Sequence, residues 1–187
     1  MNKASLKSIL QILKRQKVMK LPELVKLFGN RMEVTRKAKE GLIQSLGNGF
    51  YASNEMDPFT ANLYLTTKYY PQGVISGKTA LYLYGYSQNF IQKIDIDIKR
   101  GSSIRNKLFQ VHRVPDKRLI GITHINYEGI KILVYDKERT LAEAYLLDPE
   151  GELFYRALKR YIKTEKINIE KFLYYDQVFK NQDNSAS

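Results

Sequence analysis

Two aspartates near the middle of the chain have the spacing of a metal-binding carboxylate pair. Asp95 and Asp97 alternate with isoleucines over residues 93–99, which predicts a β-strand with one polar and one apolar face. Side chains two positions apart share a face, where two carboxylates could hold a divalent cation and support phosphoryl or nucleotidyl transfer. Lys93 and Lys99 belong to the same face, so an ordinary half-exposed strand is the competing interpretation.

A small-residue turn and a short helix precede this strand, an order that resembles the nucleotidyltransferase core. Ser76 and Gly77 lie before the helix, but residues 91–94 lack the arginine that such enzymes usually carry before the acidic pair. Glu128 or Asp136 could supply a third carboxylate, and nothing in the sequence selects one of them. A metal-dependent nucleotidyltransferase using the two strand aspartates is therefore the alternative hypothesis.

The tripeptide Gly77-Lys78-Thr79 matches the end of a phosphate-binding P-loop. The complete loop needs a glycine five positions before Gly77, and Gln72 stands there. The nearest glycine, Gly73, leaves the loop one residue short. The sequence therefore predicts no nucleotide binding through this segment.

The inventory of metal-binding residue types is small. The sequence has no Cys and only two His, which excludes disulfides, thiolate metal sites and a cysteine nucleophile. His112 and His124 lie on separate predicted strands, where most histidines are surface or packing residues. We expect no metal and no cofactor.

A cluster of basic residues around position 35 is suited to nucleic acid. Arginine can pair with two acceptors of guanine in the major groove, and lysine neutralises phosphate. The competing interpretation is a solvated basic helix face. The predicted DNA contacts are Arg31, Thr35, Arg36, Lys37 and Lys39 on a helix, followed by Asn48 and Tyr51 on a turn and strand.

Positive charge is concentrated in the first part of the chain. The 187 residues carry 31 Lys and Arg against 19 Asp and Glu, a net charge of +12 at pH 7. Residues 1–52 contain eleven of these cations and three of the acids, a net charge of +8. This predicts a polyanionic partner, first of all double-stranded DNA, with an acidic protein as the third hypothesis.

Three helices and a turn must position the basic residues. Gly47-Asn48-Gly49 predicts a tight turn before a strand at residues 50–52, and the polar stretch 53–58 marks the end of a domain over residues 1–55. This order is typical of a winged helix-turn-helix whose third helix is the recognition helix. Apolar periodicity predicts the helices at about residues 5–16, 22–28 and 32–46.

The rest of the chain predicts a mixed α/β domain over residues 59–180, so that the whole is α+β. Residues 60–70 are predicted to be helical or irregular, and residues 181–187 to be a disordered tail. The predicted strands are 93–99, 107–114, 122–127 and 130–135, the last two joined by a hairpin turn at Glu128-Gly129. The predicted helices are 79–86, 137–147, 149–163 and 168–180.

We expect neither a signal peptide nor a membrane-spanning segment in this sequence. Its start is amphipathic and interrupted by Lys7, Lys14 and Arg15. No run approaches the ~18 to 20 apolar residues of a transmembrane helix. We expect a cytoplasmic protein without a membrane partner.

Three short stretches carry a family resemblance that spans about residues 5–165. They are residues 49–52 (GFYA), residues 75–85 (ISGKTALYLYG), and residues 138–141 (ERTL) after the hairpin. In this order and spacing they resemble the AbiEi family, the antitoxins and autoregulators of bacterial abortive-infection toxin–antitoxin systems. From the residues alone, 138–141 is a capped helix start whose Arg139 pairs with a nearby carboxylate.

The resemblance implies a function for each half of the chain. The first domain is expected to repress its own promoter at a repeated operator, and the second to counteract a nucleotidyltransferase toxin, often without a stable complex. It also implies that the second domain is distantly nucleotidyltransferase-like. We therefore expect a non-enzymatic, sequence-specific transcriptional autorepressor and antitoxin.

Overall fold

The computed structural model describes residues 5–164, 166 and 168–183, which form two compact units. The first unit contains the residues up to Pro71 together with Ile104–Leu108, and the second contains Gln72–Ser103 and the residues from Phe109 onwards. Helices and strands are mixed in both, which confirms the α+β class. No helix within the described residues is long and apolar enough to cross a membrane.

From residue 5 onwards, where the structure describes it, the first unit packs four helices around a small antiparallel sheet. The strand order is β1-β3-β2, with β3 hydrogen-bonded to both neighbours. Leu13, Leu24, Val34 and Ile43 are buried in one core shared by three helices and the sheet. The elements are α1 (Leu6–Gln16), β1 (Val18–Lys20), α2 (Leu21–Phe28), α3 (Arg31–Lys39), β2 (Ile43–Ser45), β3 (Phe50–Ser53) and α4 (Pro58–Tyr69).

The third helix is shorter than the predicted 32–46. Gly41 adopts a left-handed conformation with φ of 73°, and its N–H donates to the Ala38 carbonyl at 3.1 Å. The Leu42 N–H donates to the Lys37 carbonyl at 3.0 Å, which completes a Schellman motif and ends the helix. The prediction of one long helix is therefore wrong, because Leu42 lies in the loop after α3 and Leu46 lies at the turn after β2.

The first unit also continues past residue 55. Asp57 caps α4 by accepting hydrogen bonds from the N–H groups of Phe59 and Thr60, at 3.0 and 2.8 Å. Lys68, near the end of α4, donates to the Val18 carbonyl of β1 at 2.7 Å. Residues 60–70, predicted as helical or irregular, are therefore mostly one helix of this unit, which extends to Pro71.

Within the described residues, the second unit is a five-stranded mixed sheet with four helices. The strand order is β6-β5-β4-β8-β7, in which β5–β6 and β4–β8 are parallel and the other two pairs are antiparallel. The strands are β4 (Val74–Ile75), β5 (Ile94–Lys99), β6 (Phe109–Val114), β7 (Ile122–Tyr127) and β8 (Ile130–Tyr135). The helices are α5 (Gly77–Leu83), α6 (Lys137–Leu147), α7 (Glu152–Thr164) and α8 (Ile169–Asp183), with a 3₁₀ turn at Asp116–Arg118.

Most predicted elements of this unit are confirmed, one strand was not predicted, and one expectation is wrong. The hairpin β7–β8 has the predicted bounds, and its turn residues Glu128 and Gly129 have φ of 48° and 80°. Strand β4 was not predicted, because two residues are too few to show a period. Helix α8 continues to Asp183, so residues 181–183 belong to a helix rather than to the predicted disordered tail, whose residues 184–187 lie outside the described part.

Candidate nucleic-acid interface

Helix α3 is fixed at its start and along one side, which leaves the other side exposed. The Asn30 side chain caps it by accepting a hydrogen bond from the Glu33 N–H at 2.9 Å. Val34 is fully buried in the core of the first unit, and Ala38 packs against that core. The exposed face consists of Arg31, Met32, Thr35, Arg36 and Lys39.

The cations of this face differ in how they are compensated. Arg36 forms ion pairs with Glu33 at 2.6 Å and with Glu40 at 3.5 Å. Arg31 and Lys39 form no ion pair with another described residue. They are eight positions apart, about 12 Å along the helix axis at 1.5 Å per residue. Two uncompensated cations therefore flank the exposed face.

Lys37 lies apart from the other predicted contacts. Its side chain is only 14% exposed and forms an ion pair with Glu40 at 2.6 Å. The hydrogen bond from Lys37 is the main cause of the lowered pKa of Glu40. Lys37 also lines a recess of about 210 Å³ with residues of α1 and α2, including Ile9 and Phe28. The side chain stabilises the helix end rather than pointing outward with Arg31 and Lys39.

The β2–β3 turn presents one of the two predicted wing residues. Gly47, Asn48 and Gly49 all have positive φ, between 49° and 76°, and Asn48 is exposed at the tip. Tyr51 instead packs against the core of the first unit, and its backbone is in register with both β1 and β2. Residues 46–49 contain no cation.

Met32 belongs to the exposed face and was not predicted to contact DNA. It is 82% exposed and follows Arg31 in the first turn of α3. An apolar side chain can contact the methyl group of thymine in the major groove. Its position two residues before buried Val34 was a sequence signal that it points outward.

In the second unit, Asp97 is buried instead of half-exposed. It is 2% exposed and accepts hydrogen bonds from the Ser76 hydroxyl at 2.6 Å and the Tyr135 hydroxyl at 3.0 Å. Burial, followed by the nearby Asp97 carboxylate, raises the pKa of Tyr135 well above its usual value, so the phenol stays protonated and donates. Asp97 thus connects β5 to β8 and to the residue before α5.

Asp95 lies on the same strand in a more exposed position. Its carboxylate is 3.3 Å from the Thr79 N–H and 3.4 Å from His112 Nε2 on the adjacent strand β6. The hydrogen bond to Asp95 raises the pKa of His112, while burial opposes it. A Cβ on Gly77 would lie 3.3 Å from Asp95 Cγ, so this glycine permits the close approach of the turn to the strand.

The candidates for a third carboxylate have other contacts. Glu128 is at the exposed turn of the β7–β8 hairpin. Asp136 caps α6 through the Arg139 N–H at 2.9 Å and accepts a hydrogen bond from the Tyr175 hydroxyl at 2.7 Å. Across the described residues, no group of three His, Asp or Glu is arranged to hold a metal ion. His124 is exposed on β7.

The ERTL stretch builds the start of α6. Arg139 is 1% exposed, packs on the rings of Tyr135 and Phe179, and pairs with Glu143 at 3.2 Å. The expected pairing of Arg139 with a nearby carboxylate is confirmed. Glu138 accepts a hydrogen bond from the Tyr161 hydroxyl at 2.7 Å. This stretch therefore has an evident structural role.

Comparison with known proteins gives no family assignment. No protein-family model matches the chain, and a search of curated proteins finds no match.

Proposed function

We propose that the chain binds double-stranded DNA through its first unit, a winged helix-turn-helix with α3 as the recognition helix. The element order α1-β1-α2-α3-β2-β3 and the sheet order β1-β3-β2 support this class of domain. Gly29 and Asn30 form the short turn between α2 and α3, and the β2–β3 turn corresponds to the wing. The charge of +8 over residues 1–52 favours a polyanionic partner.

The observation that carries the proposal is the exposed face of α3. It combines Arg31 and Lys39, two cations that form no ion pair within the described part of the chain, with Thr35 and the apolar Met32. These side chains can respectively bind guanine, phosphate, base edges and thymine methyl groups. Arg36 can join them by exchanging its glutamate partners for phosphate.

The proposed biological role is a transcriptional autorepressor that acts in the cytoplasm on its own promoter. An electrophoretic mobility shift on the DNA upstream of its gene, with scrambled competitor, tests this role. Binding that only the upstream sequence competes for is the expected result. Equal competition by any DNA would contradict sequence-specific regulation.

We further propose that the second unit gives the protein an antitoxin activity against a nucleotidyltransferase toxin. The family resemblance supports this, through ISGKTALYLYG and ERTL. Co-expression with a nucleotidyltransferase encoded in the adjacent reading frame tests it. Rescue of growth by the full chain is expected, and unchanged toxicity with normal accumulation of the protein would contradict it.

The second unit is proposed to be distantly nucleotidyltransferase-like and not catalytic. Ser76 and Gly77 at the start of α5 and the two aspartates of β5 support the distant likeness. The engagement of buried Asp97 by two hydroxyls supports a structural use of that carboxylate. Transfer of labelled nucleotide in the presence of Mg²⁺ that is lost in Asp95→Ala would contradict this proposal.

A further inference from the structure

Residues 104–108, which lie between β5 and β6 in the chain, belong to the compact unit that contains the wing. We call this segment the strap. Ile104 and Asn106 are buried, 9% and 7% exposed, whereas Arg105 and Lys107 are exposed. The strap is therefore anchored by its buried uncharged residues, and both of its cations are exposed to solvent.

Asn106 attaches the strap to the β2–β3 turn. Its Nδ2 donates to the Leu46 carbonyl at 3.2 Å, and its Oδ1 accepts from the Leu108 N–H at 3.0 Å. A Cβ on Gly47 would lie 3.3 Å from Asn106 Oδ1, so the turn approaches the strap closely. The Nδ2 bond therefore ties the strap to the turn, and the Oδ1 bond, which is made within the strap, orients the buried amide for that contact.

The strap supplies the charge that the wing lacks. Residues 46–49 contain no cation, while Arg105 and Lys107 form no ion pair with another described residue. We infer that Arg105 and Lys107 bind the DNA phosphate backbone beside the β2–β3 turn, as the cationic part of the wing. This inference rests on the proposed DNA binding by α3. Contacts to phosphate add affinity and orientation without reading sequence.

Fluorescence anisotropy with duplex DNA tests the strap, using the full chain and the double variant Arg105→Ala/Lys107→Ala. We expect about ten-fold weaker binding to both upstream and scrambled duplexes. In a plot of the logarithm of the affinity against the logarithm of the salt concentration, the slope of the variant should be shallower by about two. Lys159→Ala/Lys163→Ala removes the same charge from exposed positions on α7 and should bind like the wild type. Asn106→Ala, which keeps both cations, should also weaken binding once its folding is verified by circular dichroism.

Three outcomes separate the possible failures. An unchanged affinity and salt slope in the strap variant would overturn the strap inference and leave recognition by α3 standing. An equal loss in the α7 control would also overturn it, because net charge rather than position would then explain the effect. A wild-type chain that binds no duplex, or binds polyglutamate equally well, would overturn the proposed function and the strap with it.

Discussion

At the scale of single residues, the cations of α3 fall into three groups. Arg31 and Lys39 are exposed and have no ion pair among the residues that the structure describes, Arg36 pairs with two glutamates, and Lys37 is mostly covered. The first group is free to meet DNA at no cost in broken ion pairs. The sequence shows the charges but not this division into groups. The division depends on which side of the helix faces the core together with Val34.

We expect Arg31→Ala/Lys39→Ala to weaken specific DNA binding by about 2 kcal/mol or more, since one guanine-binding side chain and one phosphate contact are lost. The free energy of unfolding should hardly change, because both side chains are exposed. Lys37→Ala is the comparison and should stay within about three-fold of wild-type affinity. Anisotropy titrations measure all three proteins, and a larger loss in Lys37→Ala would contradict the assignment of the face.

Asp97→Ala should destabilise the protein by about 2 kcal/mol or more, since it leaves the buried Tyr135 hydroxyl and the Ser76 hydroxyl without their acceptor. Urea denaturation measures the loss. Asp95→Ala is the control and should cost less, because water reaches that site. An Asp97→Ala variant as stable as the wild type would contradict the structural use of this carboxylate.

The His112–Asp95 contact predicts a pH dependence of stability. The folded-state pKa of His112 is raised above its usual 6.5, so its contribution is fully present below that pH and is lost as the pH rises through the folded-state value. We expect His112→Gln to flatten this part of the stability profile. The variant His124→Gln, at an exposed position of β7, should retain it. Identical profiles for wild type and His112→Gln would contradict the interpretation.

At the scale of elements, the end of α3 depends on one glycine. Gly41 has φ of 73°, and a Cβ there would meet nothing within 4 Å, so a substitution has a conformational cost only. Gly41→Ala should therefore reduce the free energy of unfolding by about 1 kcal/mol, and Gly41→Asn by less, because asparagine tolerates this conformation. Urea denaturation of both variants measures this, and an undiminished stability of Gly41→Ala would contradict it.

The sequence predicted some of these structural features well and missed others. The β7–β8 hairpin was predictable, because its strands alternate and Glu128-Gly129 marks the turn. The apolar residues Val34, Ala38 and Leu42 recur every four positions, and this period concealed the helix end at Gly41. Asp97 is hydrogen-bonded to Ser76 and Tyr135, which are 21 and 38 positions away along the chain. A local sequence pattern cannot show such contacts.

At the scale of the whole molecule, the chain uses two units for separate proposed tasks. The first unit carries the basic face, the β2–β3 turn and the strap, although the strap lies between two strands of the second unit in the chain. The concentration of charge in residues 1–52 was evident from the sequence. The contact of residues 104–108 with the β2–β3 turn was not, because it rests on one asparagine contact across 60 positions.

Mapping amide chemical shifts during titration with upstream duplex tests the central claim most directly. The account predicts that the largest changes fall on Arg31–Lys39 and on the β2–β3 turn, and that amides around Asp97 and on α7 change little. Largest changes around Asp95 and His112 with little at α3, or no change on addition of duplex, would contradict recognition of DNA by this helix.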